Sequence, residues 1–141
     1  MEFVCSTSEL GCNTGAHVPE RGPFCFFPFR EQELWTQDFK VLVNVGGLEV
    51  LDWVDDSFGG VPENAVEGCP SVDVFVGRNS YGLGKVSKQQ RAAFMMVDGE
   101  EVWYKWYQVL VVKKGQADVT IADVHYNTSA AVEQREDVTL T

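Results

Sequence analysis

The feature that most restricts how this chain can fold is an internal repeat. The segment EQELWTQDFKVLV (31–43) aligns along its length with the segment GEEVWYKWYQVLV (99–111). Recurrence of this kind is typical of folds that are built from repeated supersecondary units. The matched pairs include Glu33 with Glu101, Trp35 with Trp103, Phe39 with Tyr107 and, after a short gap, Phe3 with Phe75.

The two copies differ where they begin. The second copy opens with LDWVDDSFGGVPENAV (51–66), and the first copy has no counterpart of that segment. At the spacing of the repeat, His17 falls on Lys85. We therefore expect an incomplete first repeat over residues 1–47, a second repeat over 48–126, and a tail or linker over 127–141.

Both copies consist of short segments with the composition and alternation of β-strands. Glycine and proline punctuate the chain between these segments, and Gly46-Gly47 is typical of a hairpin turn. The stretch 88–96 is the only candidate helix, and its second half fits a buried strand as well. The pattern predicts an all-β fold of two pseudo-symmetric antiparallel units. Strands are expected over 38–45, 48–54, 72–76 and 117–126, and a long or bulged strand is expected over 101–112.

The charge balance argues against two classes of partner. The chain has 21 acidic and 11 basic residues, a net charge of −10, and no basic run longer than Lys113-Lys114. Nucleic acids and anionic lipids both attract concentrated positive charge. No apolar run approaches the roughly 18 residues of a membrane span. We expect neither a nucleic-acid partner nor a transmembrane segment.

The cysteines point to an oxidising compartment. All four, Cys5, Cys12, Cys25 and Cys69, lie in the first half of the chain, without a CxxC pair or the spacing of a zinc site. They favour two disulfides, with free buried thiols as the alternative, and the sequence leaves the pairing open. No signal peptide follows Met1, so a cytoplasmic location also stays open.

The second copy contains an ordered series of motifs. Trp53-Val54 and a glycine pair are followed by Val76-Gly77-Arg78, Gly84-Lys85, an acidic GEE and the run YQVL (107–110). This order resembles the DM-nine repeat, an all-β unit that occurs in tandem pairs. From Phe3 to Tyr126 the chain is similar to the N-terminal module of natterin-like proteins, venom and mucus toxins whose module precedes an aerolysin-type pore-forming domain.

The resemblance implies a secreted recognition module without its pore-forming domain, and a carbohydrate ligand. DM-nine proteins include mannose-binding lectins that use a lysine at the place of Lys85 with acidic side chains nearby. An ammonium donates to sugar hydroxyls and a carboxylate accepts from them. We expect Lys85 on a glycine-framed turn facing the acidic loop 98–101, and no second site at His17. The candidate ligand-binding residues are Lys85, Glu101, Glu100, Arg78 and Asp73.

Other functions stay open. The chain could be an interaction or assembly module of a pore-forming toxin without a sugar site, with Lys85 a solvated turn residue and Arg78 a structural one. A kinin-releasing peptidase, as described for natterin-like proteins, is a minor alternative, since the two histidines, His17 and His125, belong to no recognisable catalytic motif. We expect no enzyme activity, no cofactor and no metal site. Core and cross-strand packing is expected for Trp35, Trp103, Tyr104, Trp106 and Tyr107, with stacking of one exposed member on a sugar face as the alternative.

The incomplete first repeat also has a consequence for assembly. Without its opening strands it would leave an unpaired sheet edge near Phe3–Cys5 or Val41–Val45. Exposed edges recruit strands from other chains. The sequence therefore predicts weak homodimerisation through that edge.

Overall fold

A computed structural model describes residues 1–47, 49–113 and 124–128. Within them the chain forms strands and two short 3-10 turns at Pro19–Arg21 and Val45–Gly47, which confirms the all-β prediction. The strands are β1 (Phe3–Thr7), β2 (Asn13–His17), β3 (Cys25–Phe29), β4 (Gln32–Thr36), β5 (Lys40–Asn44), β6 (Leu51–Ser57), β7 (Val74–Asn79), β8 (Gly82–Ser87), β9 (Ala92–Val97), β10 (Glu100–Tyr104), β11 (Trp106–Val112) and β12 (Val124–Thr128).

The strands form one curled antiparallel sheet in the order β12-β5-β1-β2-β3-β4-β10-β9-β8-β7-β11-β6. Counted inward from the two ends of the sheet, equivalent positions are occupied by β5 and β11, β1 and β7, β2 and β8, β3 and β9, and β4 and β10. These are the pairs that the internal repeat aligns. The two pseudo-symmetric units meet where β4 pairs with β10 through Gln32 and Glu100.

The first unit takes its outer strand from the far end of the described chain. β12 pairs with β5 from Lys40 to Asn44, as β6 pairs with β11 in the second unit. The predicted unpaired edge near Phe3–Cys5 or Val41–Val45 is therefore wrong, because β1 lies between β2 and β5, and β5 lies between β1 and β12. The expected homodimer would form through that edge, which is already paired within the chain.

Two local predictions are also wrong. Gly46-Gly47 does not join a hairpin, since β5 and β6 lie near opposite ends of the sheet. The strand predicted over 101–112 is interrupted at Lys105, where β10 leaves its hairpin with β9 and β11 crosses to lie between β6 and β7.

The other predicted strands are found at shifted bounds. The second half of 88–96 is strand β9 rather than helix, and β7 begins at Val74 rather than at Val72. Of the strand predicted over 117–126, only 124–126 lie within the described residues, and they belong to β12.

The buried apolar side chains form three clusters. One fills the first unit and includes Phe3, Cys5, Cys25, Phe39 and Val41. A second fills the second unit and includes Phe75, Val86, Ala93, Met95, Tyr107 and Val109. The third gathers residues of both units and includes Val4, Ala16, Leu42, Val76, Leu83 and Leu110. The units therefore share a core in addition to their own interiors.

The prediction of two disulfides is confirmed. Cys5 is bonded to Cys25 inside the first unit, with their Cα atoms 6.0 Å apart. The strand register places Gly77 and Ala93 at the corresponding positions of the second unit. Gly77 pairs with Val109, the repeat equivalent of Val41, as Cys5 pairs with Val41. Ala93 is equivalent to Cys25 by the register of β8 with β9 and of β2 with β3. Only the first unit therefore has a covalent link across its interior.

The second disulfide joins the two units. Cys12, in the turn between β1 and β2, is bonded to Cys69, in the loop before β7, with a Cα–Cα distance of 6.1 Å. Beside it, the Ser6 hydroxyl donates to the backbone oxygen of Gly68. The hydroxyl of Tyr126 on β12 also donates to the backbone oxygen of Glu67, at 3.0 Å. The loop is therefore held against the first unit by a covalent bond and by hydrogen bonds.

Candidate functional site

Lys85 lies in the middle of β8 and is only 6% exposed. The expectation that it stands on a glycine-framed turn is therefore wrong. Gly84 serves a different purpose, because a Cβ there would come within 2.1 Å of the backbone oxygen of Phe94 on β9. The glycine next to Lys85 lets two strands approach closely and does not shape a turn.

The ammonium of Lys85 reaches from the second unit into the first. Its Nζ donates to Oδ1 of Asn13 on β2 at 2.7 Å. The rings of Phe29 and Phe94 have their centres 5.3 and 5.6 Å from Nζ, within the range of cation–π attraction. Within the described residues Asn13 is the only hydrogen-bond acceptor for this ammonium, which has three N–H groups to donate.

Burial and one carboxylate have opposite effects on the pKa of Lys85. Burial lowers the pKa of the Lys85 ammonium, and the nearby carboxylate of Glu101 partly opposes that shift. Glu101 itself is half-buried, and its Oε1 accepts from the backbone N–H of Glu31 at 3.0 Å. The structure thus brings together Lys85 and Glu101, the two candidates that the sequence paired, and adds Asn13 to them.

The remaining candidates are held elsewhere. Glu100 is exposed at the junction of the two units, opposite Gln32. Asp73 precedes β7, and its backbone oxygen accepts from the N–H of Lys88, which directly follows β8. Neither carboxylate has a described contact with Lys85, so the predicted set of five is only partly assembled.

Arg78 lies in a polar group along β7, β11 and β6. Its Nε donates to Oε1 of Gln108 at 2.9 Å, and its guanidinium carbon lies 4.4 Å from the ring centre of Trp53. Burial lowers the pKa of Arg78, and the carboxylate of Asp52 opposes that shift. These contacts favour the structural interpretation of Arg78.

The strand register corrects the expected counterpart of Lys85. In the second unit Lys85 pairs with Val76 and Phe94. In the first unit Ala16 pairs with Val4 and Phe26, which are the repeat equivalents of those two residues. The counterpart is therefore Ala16, one residue before His17. His17 faces the interior, where its Nδ1 lies 2.8 Å from the backbone oxygen of Phe24 and its ring lies 5.1 Å from Phe39.

The three tryptophans of the predicted aromatic set do not lie in the core. Trp35, Trp103 and Trp106 are 61%, 60% and 71% exposed, and of the predicted aromatic set only Tyr107 is buried. The signal was available in the alternation of β10, since Trp103 and Glu101 fall on the same face of that strand. Asn13 was also missed, because its partner lies in the other unit and no local pattern marks it.

Two further observations concern the described part of the chain. No group of three or more His, Cys, Asp or Glu side chains is placed there to hold a metal ion. No helix in it is long and apolar enough to cross a membrane.

The DM9 repeat family matches residues 3–104. The chain belongs to this family. It is 40% identical over 130 residues to Natterin-3 of Thalassophryne nattereri, a match that covers 92% of this chain and 34% of the relative. It is 36% identical to Natterin-4 of the same organism, over 89% of this chain and 31% of that protein.

These matches define what is shared. The chain spans about a third of the length of the natterins that it matches, so it is a natterin-like DM9 protein over that portion. Its two disulfides are compatible with an extracellular protein.

Proposed function

We propose that this chain is a carbohydrate-binding module of a natterin-like protein, with Lys85, Asn13 and Glu101 as the residues that bind sugar hydroxyls. The observation that carries the proposal is the ammonium of Lys85, which is buried but has a single described acceptor. A buried donor left without a partner costs about 1–3 kcal/mol. A ligand that supplies oxygen atoms would remove that cost.

The surroundings favour a neutral polyol as that ligand. Hydroxyl groups accept from an ammonium and donate to a carboxylate, so one sugar can satisfy both Lys85 and Glu101. The rings of Phe29 and Phe94 offer apolar surface to the C–H groups of a sugar ring. The net charge of −10 disfavours an anionic ligand.

Family membership supports a mannose-type sugar and a secreted toxin or defence protein as the biological setting. In a longer natterin-like protein this module would direct a pore-forming partner domain to glycan-bearing surfaces. A binding role and not catalysis is part of the proposal, because His17 is hydrogen-bonded to a backbone oxygen in the interior. Cleavage of a peptide library by the purified chain would contradict that part.

The test is a glycan array followed by calorimetric titration with mannose and simple mannosides. Lys85→Met keeps the apolar stem and removes the ammonium. A charge-assisted hydrogen bond contributes about 1.5–3 kcal/mol, so we expect at least about a tenfold loss of affinity at the Lys85 site. Lys88→Met, at an exposed lysine beyond the end of β8, is the matched control and should bind like the parent. Undiminished binding by Lys85→Met would contradict the proposal.

The alternative, an interaction or assembly module without a sugar site, is favoured by one observation. Three large aromatic side chains are exposed: Phe58 by 49%, Trp103 by 60% and Trp106 by 71%. The ring centres of Phe58 and Trp106 lie 5.2 Å apart, edge to face. Exposed aromatic clusters mark protein interaction surfaces. Absence of binding to every glycan on the array would favour this alternative over the sugar site.

A further inference from the structure

We propose that the first unit contains a second polyol site, formed by Arg21, Glu33 and Glu2 at the place that corresponds to the Lys85 site. The ligand class of this site rests on the proposed function. The location of the site rests on the pseudo-symmetry of the two units and on contacts that are independent of Lys85.

Part of the second site consists of direct repeat equivalents. Phe94 and Glu101, which flank the ammonium of Lys85, correspond to Phe26 and Glu33 in the first unit. The lysine itself is missing there, since its counterpart is Ala16. A simple copy of the first site would therefore lack its cation.

Arg21 supplies the missing cation from a different position in the chain. It lies in the 3-10 turn Pro19–Arg21 between β2 and β3. Its guanidinium carbon lies 3.7 Å from the ring centre of Phe26, and its Nη2 lies 3.2 Å from Oε2 of Glu33. A positive group over the phenylalanine and beside the glutamate is thus present in both units, although it belongs to unrelated residues.

The polar partner of the cation is replaced in the same way. The register places Gly82 at the position that corresponds to Asn13, because Asn13 pairs with Thr7 as Gly82 pairs with Asn79. A Cβ at Gly82 would lie 3.4 and 3.5 Å from the two carboxylate oxygens of Glu2. The carboxylate of Glu2 therefore lies beside the space that a side chain at Gly82 would enter.

The second site is the more accessible of the two. The side chain of Arg21 is 50% exposed and that of Glu33 is 19% exposed. Trp35 shares the face of β4 with Glu33, is largely exposed, and lies 4.8 Å from the ring of Phe24. A guanidinium and a carboxylate beside an exposed indole can bind two neighbouring hydroxyls and the apolar face of one sugar ring.

The proposal makes the chain bivalent, and stoichiometry tests it. Calorimetric titration of the parent with mannose and methyl mannosides should give two sites per chain. Arg21→Met and Lys85→Met should each leave one site, and the double variant should leave none. Arg91→Met, at an exposed arginine between β8 and β9, is the matched control and should keep both. Circular dichroism and the thermal midpoint of Arg21→Met should match the parent.

The outcomes separate this inference from the proposed function. If the parent binds one sugar per chain and Lys85→Met abolishes all binding, the Lys85 site stands and the second site is overturned. If Arg21→Met binds two sugars, the Arg21–Glu33 pair is a surface ion pair only and the inference is overturned. If the parent binds no sugar, both proposals fall.

Discussion

The two units of this molecule have the same strand arrangement but hold their interiors together differently. The first unit has the Cys5–Cys25 disulfide across its interior. At the matching place in the second unit a Cβ on Gly77 would lie 2.7 Å from Cγ2 of Val86 and 3.6 Å from Cε of Met95. Close packing around a glycine has thus taken the place of a covalent bond, so the fold requires a filled interior and not a particular residue there.

The units differ in the same manner around their cations. The second unit buries an ammonium inside a strand, whereas the first unit places a guanidinium over the equivalent phenylalanine from a turn. Equivalent positions in space are kept while the residues that fill them change. Alignment of the two copies by sequence alone therefore misses the correspondence.

The largest effect is expected from removing the bond that holds the units together. The Cys12–Cys69 disulfide closes a sequence separation of 57 residues, against 20 for Cys5–Cys25. Chain-entropy arguments assign about 4 kcal/mol to a loop of the larger size. Cys12→Ala combined with Cys69→Ala should lower the free energy of unfolding in urea by about that amount. A loss below about 1 kcal/mol would show that the shared core alone secures the units.

A smaller effect should distinguish Lys85 from Arg21 by the pH dependence of the free energy of unfolding. Burial lowers the folded-state pKa of Lys85, so between that value and the ordinary value of about 10.4 the unfolded chain binds more protons. The free energy of unfolding of the parent should therefore rise with pH relative to Lys85→Met across that window. The gain is about 1.4 kcal/mol for each pKa unit of the shift.

The matched comparison is Arg21→Met. Arginine stays charged throughout this range and Arg21 is half-exposed, so the difference between parent and Arg21→Met should not change with pH. Urea unfolding from pH 8 to pH 10 measures both differences. A flat profile for Lys85→Met would mean that Lys85 is as well solvated as Arg21.

The smallest effect concerns the two equivalent glutamates. Glu33→Gln weakens an ion pair at the surface, which contributes about 0–1 kcal/mol, and Glu101→Gln keeps an oxygen that can accept from the N–H of Glu31. Each variant should change the free energy of unfolding by no more than about 1 kcal/mol while weakening sugar binding at its own site. Strong destabilisation by Glu33→Gln in thermal and urea unfolding would assign Arg21 and Glu33 to structure and not to a ligand.

The sequence predicts the repeated β-architecture because alternation and aromatic content act over a few neighbouring residues. It misplaces His17 against Lys85 because the turns between β1, β2 and β3 differ in length from their counterparts, and a constant spacing cannot detect that. Glycine next to a lysine indicates a turn in the sequence, but Gly84 instead allows two strands to approach closely.

Contacts between the units could not be predicted from local pattern. Asn13 and Lys85 are 72 residues apart, and the hydrogen bond between them has no sequence signature. For Trp103, in contrast, the local pattern was sufficient. Its hydrophobicity favoured the core, but its place in the alternation of β10 puts it on the exposed side.

The pairing of β12 with β5 has a consequence for the order in which the molecule forms. The strands of the second unit that the structure describes lie within 51–112. We expect this unit to be able to close once that segment has been synthesised. The first unit must wait for Val124 to reach Asn44 and the rest of β12 to follow. Pairing across such long separations is slow. We therefore expect the first unit to be completed after the second, although most of it leaves the ribosome earlier.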